Sequence, residues 1–200
     1  REIGAFLVFP SSIFVFGGEK QGKYDESDVP NPINVYGKTK AEAEGIVRNL
    51  PHHIILRTDM IYGYNGEGMR NGLVGLVTNP KKTIWLDDEN LRQPLFLDDM
   101  EPAIRTLLDH ERIGTFHLAG EDRITQYDLA RRIEELIRDS SVLEPRPPEQ
   151  LAPRPRNLAI DTTEARDIGV VFTPLDSSIR IIEGQLSKGV GPEGAPRPLH

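Results

Sequence analysis

Hydrophobic positions in the first sixty residues fall into two short runs separated by a long polar stretch. "GAFLVF", Gly4 to Phe9, and "HHIILRT", His52 to Thr58, are apolar without alternation and bounded by turn-forming residues, the pattern of parallel-sheet strands buried on both faces. The first is predicted to end at Ser11 and Ser12. Between them, Gly17 to Asn34 is rich in Gly, Asp, Asn and Pro and reads as a loop, of a length that usually carries function. A helical period then runs from near Val35 to about Leu50.

Beyond residue 62 the periodic pieces are shorter. A glycine-spaced loop, "YGYNGEGMRNG", is followed by a helix and by short strands at Thr83 to Leu86 and Pro94 to Leu97. Asp98 with Glu101 predicts a capping box ahead of "MEPAIRTLLDH", and "GTFHLAG", Gly114 to Gly120, reads as another strand. Thr125 and Asp128 form a second box, Ile124 and Leu129 can close a hydrophobic staple, and Leu129, Ile133, Leu136 and Ile137 recur at helical spacing. Pro145 to Pro155 is extended, Asp161 to Asp167 and Asp176 to Leu186 are short helices, and "KGVGPEGAPRPLH" is a flexible tail. Strands alternating with helices predict an α/β sheet over 1–61, a smaller α+β portion whose elements return to the sheet over 62–187, and the tail over 188–200.

Composition narrows the function. Two hundred residues can bury a sizeable core, while 28% charged residues and a net charge of −7 give no electrostatic footprint for nucleic acid. The absence of cysteine excludes disulfides, thiolate zinc sites and cysteine nucleophiles, suits a cytoplasmic protein, and means that redox work needs a cofactor. The apolar stretch Ile3 to Val8 is far shorter than a bilayer span and precedes no signal cleavage pattern, so no membrane role is expected. Arg1 and Glu2 lead straight into that stretch without an initiator methionine, which implies that the natural protein begins earlier.

The chemistry centres on "NVYGKTK". Residues i and i+4 share a helix face, so Tyr36 and Lys40 can present a hydroxyl and an ammonium to one point. A tyrosine is a reluctant proton donor and acceptor at neutral pH unless a cation stabilises its phenolate, and Lys40 can be that cation. Ser12, ending the neighbouring strand, could hold a carbonyl oxygen while Tyr36 protonates it. Taken alone, Tyr-x-x-x-Lys is common on solvated helices; the order strand, serines, long loop, Tyr-x-x-x-Lys is what selects the chemical reading.

The segments "SSIFVF", "YDESDVPNPINVYGKTKAEAE", "ILRTDMIYG", "GTFHLAGEDRITQYDLA" and "RPRNLAIDT" resemble successive blocks of the extended short-chain dehydrogenase/reductase superfamily, from about residue 4 to residue 183. They most resemble the branch that contains dTDP-4-dehydrorhamnose reductase and the regulatory β subunit of methionine adenosyltransferase. The resemblance implies the C-terminal part of a Rossmann-like doubly wound parallel sheet with a small α+β substrate-binding portion. It implies a reductase using NADP or NAD on a carbonyl of a nucleotide-sugar-like substrate. Tyr36 would be the proton donor, Lys40 the cation that also holds the nicotinamide ribose, and Ser12 the group that steadies the substrate oxygen. Ser11 and Thr58 would lie on the nicotinamide side, Arg57 would support the site, and Arg154 and Arg156 would meet substrate phosphates. No metal is implied. Partners would be the small-molecule substrate and a second copy of the chain.

Three departures qualify this. The family pattern "STDYVF" or "SSDYVF" becomes Ser11-Ser12-Ile13-Phe14, removing two polar contacts, and Met60 stands where a Trp often follows "RTS" or "RTN". The Gly-x-x-Gly-x-x-Gly turn expected roughly a hundred residues before Tyr36 has no counterpart, since thirty-five residues precede Tyr36 and Gly63, Gly66, Gly68 and Gly72 have the wrong spacing and place. The N-terminal dinucleotide-binding half is therefore expected to be missing from this sequence, by omission or by true truncation, and if the truncation is a true one the first strand loses a neighbour and exposes a sheet edge. A non-catalytic NADP-binding subunit with a synthetase-type partner is the second functional class, and a sugar-nucleotide epimerase or dehydratase the third. His52, His53 and His117 read as structural, Asp87 to Glu89 as a solvated turn, and Trp85 as core or pocket wall.

Overall fold

A computed structural model describes residues 5–64, 72–78, 83–136, 140–146, 154–156 and 158–189. The central sheet has three parallel strands in the order β1 (Leu7–Ser12), β2 (His53–Thr58), β6 (Gly114–Leu118). β2 is buried at every position, as a central strand covered on both faces must be. β1 differs from its expected form. It begins at Leu7, includes Ser11 and Ser12, and is buried only at those two serines, with Phe6 and Leu7 37% and 39% exposed because β1 lies at the sheet edge. Pro10 sits inside it. Leu7 donates its amide to the His52 carbonyl at 3.1 Å, so positions 7, 9 and 11 face β2 and Pro10 turns its missing N–H outward, where an edge strand tolerates proline.

Helix α1 (Val35–Val47) crosses from β1 to β2 and is capped by Asn34, whose side chain accepts the Gly37 amide. The loop before it is fixed at both ends. Tyr24 bridges to Ala159 and Asp161 by backbone hydrogen bonds of 2.7 Å each, Asn31 donates its amide to Val15 at 2.9 Å, and the Asn31 side chain accepts the Gly17 amide. On one side of the sheet Ile54, Leu56, Leu107, Phe116, Leu118 and Phe172 pack together; Ile13, Val15, Phe16, Tyr24 and Ile160 form a separate cluster.

Two further parallel pairs, β3 (Ile61–Tyr62) with β5 (Leu95–Phe96) and β4 (Thr83–Leu86) with β7 (Val142–Pro145), flank a third cluster built on α2 (Leu73–Val77), α4 (Gln126–Glu134) and α6 (Leu175–Gly189). In α4 the expected box forms: Thr125 Oγ1 accepts the Asp128 amide at 2.9 Å and donates to its carboxylate at 2.7 Å. Leu129 and Ile133 are fully buried, each worth about 1.5–3 kcal/mol.

Other expectations need correction. Asp98 does not cap α3 (Met100–Asp109); it lies in a 3-10 turn and accepts from Gln185, while Glu101 pairs with Arg105 and Asp99 binds Thr173 through its amide and hydroxyl. The long-range partners simply outcompete the local box. The helix expected over 176–186 is longer, running through α6 to Gly189, and α5 is Thr163–Asp167. Gly66, Gly68 and most of the tail lie outside the described residues, as does part of the Pro-rich run. Among the described residues, no helix is long and apolar enough to cross a membrane.

Candidate functional site

The end of β1 and the start of α1 meet at one open cavity of about 800 Å³. Its wall includes Ser12, Phe14, Asn34 and Tyr36 from these elements, and Asp59, Met60, Asp87, Arg92, Arg146 and Arg154 from later ones. The approach of α1 to the strand is close because residue 37 is glycine: a Cβ there would stand 2.0 Å from the Phe14 carbonyl oxygen.

Ser12 caps the 3-10 turn Ile13–Val15 by accepting the Phe14 amide at 3.2 Å, which leaves its hydroxyl proton to be donated. Tyr36 is 51% exposed and meets the Phe14 ring edge-on, 5.9 Å between centroids. The other face of the pattern change, Ile13, is fully buried in the cluster with Val15 and Phe16, so of the two departures only Phe14 faces the cavity. Lys40 lies outside the cavity wall; its Nζ donates to the Pro10 carbonyl at 2.8 Å and stands 5.9 Å from the centre of the Tyr36 ring.

Ser11 and Thr58 are buried, and neither lines the cavity. The Ser11 hydroxyl donates instead to Glu44 Oε1 at 2.6 Å, and Arg57, fully buried, holds the same carboxylate through Nε at 3.0 Å and Nη2 at 2.8 Å. Burial pushes Glu44 toward the neutral acid, but Arg57, Ser11 and Arg48 outweigh it and keep its carboxyl below the usual range. Arg154 reaches the cavity; Arg156 is exposed and does not.

Asp59, Arg92 and Arg146 in the wall were not singled out by sequence. Asp59 is buried and accepts from Arg92 Nε at 2.8 Å, from Arg92 Nη2, and from the amides of Met60 and Gln93 at 2.7 Å each; the Arg92 guanidinium lies 4.6 Å above the Phe14 ring. Asp88 and Glu89 are exposed as expected of a solvated turn, but Asp87 is not. It is 1% exposed and accepts from the Asn90 side chain, from the Asn90 and Glu89 amides, and faces Arg154 Nη1 at 3.5 Å. Burial raises its carboxyl, and the Asn90 and Glu89 hydrogen bonds more than reverse that. Arg154 is pushed down by burial and then by its neighbour Arg146, opposed by Asp87. Arg146 itself donates to the Trp85 carbonyl at 2.8 Å, while the Trp85 side chain is 43% exposed, neither core nor cavity wall. Lys38, Arg92, Arg146 and Arg154 face Asp59 and Asp87, so cationic side chains outnumber carboxylates here although the whole chain is acidic. That excess suits an anionic ligand.

The buried charges carried one legible signal, Arg57 inside an apolar strand, which requires a partner; Glu44 reads as a solvated helix residue until its burial is seen. Asp59–Arg92 carried none, because its members are 33 residues apart and flank different strands.

The family described as RmlD substrate binding domain matches residues 1–180. The bovine methionine adenosyltransferase 2 subunit beta is 34% identical over 181 residues, covering 84% of this chain and 54% of that protein. A dTDP-4-keto-6-deoxy-D-glucose reductase of Streptomyces niveus is 33% identical over 181 residues, covering 88% and 62%. Among solved structures, the dTDP-4-dehydrorhamnose reductase of Bacillus anthracis in complex with NADP superposes with a TM-score of 0.78 at 25% identity, covering 92% of this chain and 67% of that one. The chain thus spans little more than half the length of the curated relatives it matches.

Proposed function

The chain belongs to the RmlD substrate binding domain family, and from that premise we propose that it is the catalytic and substrate-binding part of an NAD(P)H-dependent reductase acting on a nucleotide-sugar carbonyl. One observation carries this reading: a single cavity holds Ser12 and Tyr36 together with Arg146 and Arg154. Hydroxyl donors suit a carbonyl oxygen, and guanidinium groups suit a diphosphate. The division into a sheet portion over 1–61 and a substrate portion over 62–187 is part of the same proposal, since the cavity draws on both.

Nicotinamide, when bound, supplies the hydride from its C4. The residues present fit its ribose end: Tyr36 is exposed, and Lys40 carries an ammonium beside it whose present acceptor is a carbonyl at the sheet edge. No Gly-rich turn for the pyrophosphate is in the sequence, so these residues hold the reactive end only. Ser12 donates to the substrate carbonyl oxygen and polarises it. Tyr36 Oη gives that oxygen its proton, and Lys40 stabilises the phenolate left behind. Arg146 and Arg154 orient the diphosphate, and the ring of Phe14 excludes water beside the tyrosine.

The test is Tyr36→Phe in the full-length protein with dTDP-4-keto-6-deoxy sugar, followed by loss of NADPH absorbance. Turnover falls by at least about 100-fold while cofactor affinity stays within about twofold; unchanged turnover rejects the assignment. A second reading, a cofactor-binding subunit without turnover, is favoured by Phe14, which presents a bare ring to the cavity. A wild-type protein with no reductase activity that retains a synthetase-type partner in a pull-down would select it.

A further inference from the structure

Helix α1 is fastened to the sheet by little apolar surface. Its buried residues are Gly37, Glu44 and Val47: one without a side chain, one charged, one aliphatic. Glu44 is completely buried, and its carboxylate receives four donors. Ser11 Oγ at 2.6 Å and Arg57 Nε at 3.0 Å reach Oε1; Arg57 Nη2 at 2.8 Å and Arg48 Nη2 at 2.9 Å reach Oε2. One side chain thereby ties α1 to β1 and β2 together. Ser11 immediately precedes Ser12, and Tyr36, Lys40 and Glu44 recur every four residues along one stripe.

A buried ion pair is a poor source of net stability, because apolar residues of similar volume do as well or better. What it supplies is orientation: a bidentate Arg–carboxylate fork fixes direction as well as distance, where an apolar contact lets a helix slide. We infer that Glu44 is a positioning residue: through Ser11 and Arg57 it sets the seat of α1 on the strand ends and hence the separation of Ser12 and Tyr36. This rests on the reductase reading above. Glu44 touches neither substrate nor the reacting atoms; it acts through the backbone that carries them.

In the full-length protein, Glu44→Asp keeps the charge and shortens the reach, while Glu44→Gln keeps the shape and gives up the charge. Both should lower kcat for ketone reduction by about 100-fold, the usual effect of a misplacement near 1 Å, with KM for the sugar nucleotide within about threefold. Leu129→Ala, in the separate α4 cluster, is the control for lost stability and keeps its kcat. Unchanged kcat in a folded Glu44 variant, or an equal loss in Leu129→Ala, overturns the inference. Should both Glu44 variants fail to fold, Ser11→Ala removes one arm without stranding Arg57, and about a tenfold loss of kcat is expected; no loss overturns it. If the wild-type protein shows no turnover, the reductase reading falls and amide exchange decides the role of Glu44 instead. Amides of α1 then exchange at least about tenfold faster in Glu44→Asp while those of α4 hold, and a uniform change, or none, overturns it.

Discussion

Gly37→Ala sets two effects on helix α1 against each other. In an unconstrained helix the change is favourable by about 1 kcal/mol. Here the new Cβ would lie 2.0 Å from the Phe14 carbonyl oxygen and 2.9 Å from both the Phe14 carbonyl carbon and Pro32 Cβ, whereas ordinary contact begins at 3.4 Å. The helix must therefore retreat by more than about 1 Å from a backbone group that cannot fold away. Overpacking of this kind costs about 1–3 kcal/mol. The Gly37 amide also donates to Asn34 at 2.8 Å, so retreat loosens the cap, another ~1 kcal/mol. After subtracting the helix gain, the variant should be less stable by about 1–3 kcal/mol, a Tm lower by roughly 2–12 °C for a chain of this size. Tyr36 moves with its neighbour, so turnover should fall by about 100-fold. Calorimetry and the NADPH assay measure the two. A melting temperature at or above that of the wild type would mean that helix propensity wins and that the contact with Phe14 is soft.

His117 gives a pH dependence. It is fully buried in β6 beside Arg57 of β2, and burial, then the Arg57 charge, push its imidazole down to about 4. In the unfolded chain it returns to about 6.5, so between those values the unfolded state binds the extra proton. Its contribution is complete above about pH 6.5 and is lost as pH falls toward 4, about 3 kcal/mol in all. His117→Asn should lose about that much less urea stability between pH 7 and pH 4, and parallel curves for the two proteins would refute it. For the cavity, Arg146→Ala or Arg154→Ala should raise KM for the nucleotide sugar by about tenfold or more with kcat little changed, whereas exposed Arg156→Ala should not; equal effects at all three positions would remove the diphosphate assignment.

What could be read from the chain followed its local chemistry. The Thr125–Asp128 box lies within one turn, and the serines before the long loop and the Tyr36 helix lie at element ends that turn residues mark. Asp98 carried an equally good local signal but meets Gln185, while its neighbour Asp99 is taken by Thr173, because partners more than seventy residues away decide which carboxylate faces which donor. Asp87 differs for another reason: three adjacent acids suggest solvent, yet the local donors of Asn90 and Glu89, with Arg154, hold the first of them inside. Arg146 and Arg92 enter the site only because β7 pairs with β4 and Arg92 bridges to Ile124, pairings that no period in the sequence announces.

Pro10 has a consequence for handling the protein. Its outward side offers no N–H, and its carbonyl is already occupied by Lys40, so among the described strands the β1 edge of the central sheet is blunted at its middle against another strand. Lys40 is also the proposed ribose ligand, and its ammonium has three protons, so one can stay on the Pro10 carbonyl while the others serve a ribose. Acetylating Lys40 would take the charge from both contacts together. On the proposed role of Lys40, blunting this edge and holding the ribose are two duties of one side chain.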